Sequence, residues 1–127
     1  NMVTRSEYEK SFGKSASELG LDQIPYYSLA SGFLSGKYQQ GGSVNSQRAG
    51  GVAKYQTQGG YLLIEAIKNL ALKHNSNASA VSLAWLRAKN CVPIASARTV
   101  DQLNEIVQEV RLSGDEVNAL DVKSLAF

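Results

Sequence analysis

The chain has 127 residues, with 13 Lys and Arg against 11 Asp and Glu and a single His, Cys and Trp. This length suits one modest domain, and 43% hydrophobic with 19% charged residues excludes a disordered chain. A net charge of +2, spread among acids, excludes the basic stripe of a nucleic-acid binder, and no apolar run is long enough to span a membrane. The lone Cys91 excludes an internal disulfide or a Cys-based zinc cluster. Residues Asn1 to Arg5 lack the apolar heart of a signal peptide, so a soluble, cytoplasmic protein is expected.

Ser6-Glu7-Tyr8-Glu9 has the spacing of a capping box. Tyr8, Phe12, Ala16 and Leu19 then recur at helical spacing, which predicts a helix over 6–19 closed by Gly20. Ile24 to Leu29 is aromatic and branched, and a short strand is predicted at 24–28, with Pro25 near its start. Residues 31–60 hold eight of the eleven glycines and predict a long loop, of a length that is usually functional or disordered. Leu63, Ile67 and Leu70 predict a helix at 61–74. Asn77 can cap the next one, with Val81, Ala84, Trp85 and Ala88 on one face.

Cys91 to Ala95 reads as a second short strand. Thr99 with Gln102 opens a helix predicted over 99–110. Ser113 with Glu116 opens a last helix reaching about Leu125, stapled by Leu112 and Val117. Strands alternating with helices imply an α/β chain with parallel βα units. Two strands alone leave such a sheet without neighbours, so exposed apolar strand edges and self-association through them are expected.

Few residues carry recognisable chemistry. His74 ends a predicted helix and reads as a residue interacting with carbonyls or the helix dipole, and Cys91 as a small core residue. Asn77-Ala78-Ser79 has the glycosylation spacing, but a helix cap explains Asn77 better. Gly32 to Lys37 has one residue too few between its glycines for a P-loop and lacks the Ser or Thr after the lysine. Two segments remain, each just after a predicted strand. Ser31, Gly32, Ser35, Gly36 and Lys37 offer close backbone approach, hydroxyls and an ammonium. Ser96 to Thr99 brings Arg98 to a helix start. Together they point to a phosphate-bearing ligand.

Pro25 to Tyr38, Val81 to Leu86 and Val92 to Glu105 together resemble, in order and spacing, the aldo-keto reductases, with bacterial members similar to potassium-channel β-subunits the nearest group. The resemblance spans essentially the whole chain. It implies the C-terminal portion of a TIM (β/α)8 barrel, about strands 7–8 with flanking helices, incomplete on its own and forming a single fragment over 1–127. By this resemblance Tyr26 would stack on the nicotinamide of NADP, and Leu29, Ser31, Gly32, Leu34 and Lys37 would follow the pyrophosphate. Ser96, Arg98, Gln102 and Glu105 would surround the adenosine and its 2′-phosphate, and the 31–60 loop would clasp the cofactor. Ser96 stands where many members carry Lys, and Ile106 where Asn is common.

The implied activity is NADPH-dependent reduction of a small-molecule aldehyde or ketone by hydride transfer. The catalytic tetrad and any metal site are not expected in this chain, so the piece alone would be inactive. A non-catalytic, nucleotide-sensing module like the β-subunits is the alternative.

Overall fold

The computed structural model describes residues 1–42 and 49–127. The middle of the glycine-rich stretch, and with it part of the expected clasp, lies outside the described residues. In chain order the α-helices are α1 (Arg5–Tyr8), α2 (Lys14–Glu18), α3 (Ala49–Val52), α4 (Gln58–Lys73), α5 (Ala78–Ala88), α6 (Val100–Ile106) and α7 (Gly114–Ser124). A π-helical turn, Glu9–Gly13, joins α1 to α2. Two 3-10 turns, Ala30–Ser35 and Ala53–Tyr55, interrupt the stretch read as loop, the first beginning one residue before it. Among the described residues, no helix is long and apolar enough to cross a membrane.

The core forms where the apolar periodicity is strongest. α4 turns Leu63, Ile67 and Ala71 inward and packs against both α5 and α7. α5 is buried along Ala78 to Leu86, so its core face is broader than the stripe of one amphipathic helix. Phe33 and Leu34 of the first 3-10 turn enter the same cluster, and the Ser82 hydroxyl donates to the Leu34 carbonyl at 2.9 Å. Asn77 caps α5 by accepting from the Ala80 N–H at 2.9 Å. Ser113 and Glu116 complete the capping box of α7.

The expected α/β architecture, a portion of a TIM barrel with strands at 24–28 and 91–95, is not what forms. Among the described residues there is no strand or sheet, only a single parallel bridge between Gln23 and Cys91. Two backbone bonds accompany it, Val92 N–H to the Gln23 carbonyl at 2.8 Å and Ile94 N–H to the Pro25 carbonyl at 3.1 Å. The next rung of a parallel ladder would need an N–H from residue 25, and proline has none. A lone pair of extended segments is also marginal without a third neighbour. Ile24, Tyr26, Val92 and Ile94 are correspondingly exposed.

Two helices also depart from expectation. The first starts at Arg5, so Ser6 falls inside its first turn and cannot cap it. Glu9 pairs instead with Arg5 Nε at 2.9 Å. Its apolar stripe is not buried, Phe12 and Leu19 being each 72% exposed. α6 ends at Ile106 rather than 110, and Val100, Leu103 and Val107 are exposed.

Candidate functional site

A cleft of about 360 Å³ opens between the segment after the first extended stretch and the segment after the second. Tyr26, Leu29, Ser31, Gly32 and Lys37 line one wall, and Ser96, Arg98, Gln102 and Glu105 the other. Nine of the ten residues that the family resemblance assigns to the cofactor therefore meet in one place. The tenth, Leu34, is fully buried in the core and does not line the cleft.

The first wall owes its shape to three successive left-handed residues, Ala30, Ser31 and Gly32, with φ of 48°, 56° and 90°. Such geometry is unfavourable for Ala and Ser, and the surroundings hold it. Gly32 N–H donates to the Leu29 carbonyl at 2.8 Å, and the hydroxyls of Ser31 and Tyr27 share a hydrogen bond at 2.5 Å. A Cβ on Gly32 would lie 3.3 Å from both Cε and Nζ of Lys37. That contact would be tight, and the φ of 90° favours glycine here in any case. The Ser35 hydroxyl donates to the Gly32 carbonyl at 2.7 Å and closes the turn.

On the opposite wall, Thr99 Oγ1 accepts from Gln102 N–H at 3.2 Å, and Gln102 Oε1 accepts from Arg98 N–H at 3.0 Å. Both amides are satisfied internally. The full charge this wall offers is the Arg98 guanidinium. Among the described residues neither Lys37 nor Arg98 has a carboxylate within ion-pair distance. Among the described residues, Glu105 is the one acid lining the cleft. Two cations lining one cleft with hydroxyls and one carboxylate suit an anionic, hydroxyl-bearing ligand. No group of His, Cys, Asp or Glu among the described residues could hold a metal ion.

Ser79 lines the cleft from the first turn of α5, and Tyr27 from the strained turn. Neither was singled out. Tyr27 sits next to Tyr26 and could have been, whereas Ser79 reaches the cleft only through the packing of α5.

A larger cavity of about 850 Å³ lies on the other side of Tyr26 and Tyr27, which line both. Tyr8, Tyr55, Trp85 and Cys91 contribute to it, and burial pushes the Cys91 thiol pKa up. Arg5 and Lys89 flank the Trp85 ring at 5.5 and 5.6 Å. Both pair with Asp121, which also accepts from Trp85 Nε1 at 2.9 Å. Burial pushes the Asp121 carboxyl up, but the hydrogen bonds from Lys89 and Trp85 and the Arg5 charge outweigh it and hold it below its usual value. His74 meets not a helix carbonyl but Glu116, with Nε2 3.0 Å from Oε1.

The profile of the Aldo/keto reductase family matches residues 1–124. The chain belongs to this family. It is 29% identical to an aldo-keto reductase of Fusarium vanettenii over an alignment of 126 residues that covers 95% of this chain and 34% of the relative. It is 30% identical to an uncharacterized oxidoreductase, YrpG, of Bacillus subtilis over 105 residues, 80% of this chain and 31% of the relative. This aldo/keto reductase chain thus spans about a third of the length of the curated relatives it matches.

Proposed function

We propose that the 360 Å³ cleft receives the phosphate-bearing part of NADP(H), as this chain's contribution to an oxidoreductase that reduces aldehydes or ketones. The observation that carries the reading is the meeting of Lys37 and Arg98, from two distant segments, on opposite walls of one hydroxyl-lined cleft. The residues fit the group. The turn at Gly32 is bare where a Cβ would crowd Lys37, so the ammonium and backbone can serve a phosphate together. Arg98 offers a planar fork of donors suited to a second phosphate. Glu105, unfavourable beside a phosphate, suits a ribose hydroxyl or an adenine amine. The Tyr26 ring, 85% exposed between the two cavities, has a free face for a planar ring system.

Bound there, the cofactor would supply the hydride. The chain's own part would be to hold and orient it, which lowers the barrier by fixing the reacting geometry. No proton-transfer role is assigned to any residue of this chain. A nucleotide-sensing module would use the same cleft without turnover, and no feature of the geometry favours it.

The test is titration of the chain with NADPH and NADH, for wild type and for Lys37→Ala and Arg98→Ala. Losing a charge-assisted hydrogen bond weakens binding by about tenfold or more. Lys37→Ala is expected to weaken both nucleotides. Arg98→Ala is expected to weaken NADPH by that factor and NADH little, because only NADPH carries the 2′-phosphate. Absence of NADPH binding to wild type, or affinity unchanged in both variants, would contradict the proposal.

A further inference from the structure

α6 carries Gln102, Glu105 and Ile106 into the cleft, yet it has seven residues, none of them buried. A helix so short is not stable alone, so something outside it must hold this wall. Its first turn is closed by Thr99. Its last turn is met by a side chain from another helix. Asn77 uses its carbonyl oxygen to cap α5, accepting from Ala80 N–H at 2.9 Å. Its amide nitrogen donates the other way, to the Glu105 carbonyl at 3.0 Å and to Gln108 Oε1 at 2.9 Å. The Glu105 carbonyl belongs to the last turn of α6, where carbonyls lack a partner within the helix. Ser76 Oγ donates to the same Gln108 oxygen at 2.8 Å.

We infer that Asn77 is a positioning residue for the cleft. One side-chain amide both caps the buried α5 and fixes the C-terminal end of the exposed α6, and so sets where Gln102 and Glu105 stand. The amide performs the two duties from separate atoms, whereas an ionised Asp has no donor and a Ser would have to accept and donate from one shorter-reaching hydroxyl. The consequence for ligand affinity rests on the NADP(H) reading above, whereas the consequence for α6 does not.

The test uses Asn77→Ser and Asn77→Asp, which keep an oxygen to cap α5 and lose the amide donor, one neutral and one charged. Amide hydrogen exchange and NADPH titration are read on each. In both variants the amides of Leu103 and Val107 are expected to exchange about tenfold faster, the equivalent of one lost hydrogen bond. Those of α5 should keep their wild-type rates, and NADPH affinity should fall several-fold. Unchanged α6 exchange, or α5 loosening as much as α6, would overturn the assignment. So would a loosened α6 with unchanged affinity, or an affinity loss confined to the charged variant. If wild type binds no NADPH but α6 loosens as stated, the nucleotide reading fails and the hold on α6 stands.

Discussion

Glu116 offers a prediction whose size and sign both follow from the structure. It stands at the third position of α7 and is 8% exposed. Its Oε2 accepts from Ser113 N–H at 2.8 Å, and its Oε1 accepts from Lys73 Nζ at 2.8 Å and lies 3.0 Å from His74 Nε2. The Lys73 hydrogen bond foremost, then those of Ser113 and His74, outweigh burial and lower the carboxyl pKa from 4.5 to about 2. That drop corresponds to about 3 kcal/mol. Because the Lys73 side chain is 67% exposed and screened by water, about 1.5–2 kcal/mol is the working figure. The folded-state pKa is depressed, so this stability is present above pH 4.5 and is lost as the pH falls towards 2. Glu116→Gln keeps an acceptor for Ser113 and removes the charge. Urea unfolding at several pH values should show wild type more stable by about 1.5–2 kcal/mol at pH 7, with the gap closing to near zero by pH 2. A gap as large at pH 2 as at pH 7, or none at pH 7, would refute the reasoning.

Gly60→Ala, a change that usually favours a helix by about 1 kcal/mol, should here lower the midpoint of thermal unfolding. The new Cβ would collide with the Tyr55 carbonyl and lie 3.0 Å from Phe33 Cζ, for a net loss of about 2 kcal/mol. Gly114→Ala, with nothing within 4 Å of the new Cβ, should leave the midpoint unchanged or raise it. Asp121→Asn leaves Arg5 and Lys89 on the Trp85 ring without their shared carboxylate. A loss of about 2 kcal/mol is expected in urea unfolding, with a shift in the emission of the single Trp. Leu34→Ala should remove about 2–5 kcal/mol of unfolding free energy, as befits a core residue.

The helices were legible where a side chain caps them against a strong apolar period. Asn77 and Ser113 mark their helices correctly, and Leu63 and Ile67 name the core face of α4. Periodicity alone misled at Phe12 and Leu19, which have helical spacing but no surface to pack on. The two extended segments have strand composition, yet Pro25 lacks the N–H that the second rung requires, and one bridge is all that forms. The cleft was legible because its glycine, hydroxyls and cations are local to those segments. Ser79 was not, since only the docking of α5 brings it there. Leu34 entered the expected site only through the family resemblance, and the 3-10 turn buries it in the core. Asn77 was legible as a cap, while the use of its nitrogen depends on where Glu105 and Gln108 arrive in space.

The most direct measurement of the central claim is an amide chemical-shift map of the chain titrated with NADPH. The account predicts saturable shifts at Ser31 to Lys37 and at Ser96 to Glu105, with little change along α7. Shifts gathered instead around Trp85 and Cys91 in the larger cavity, or no saturable shift at either wall of the cleft, would contradict it.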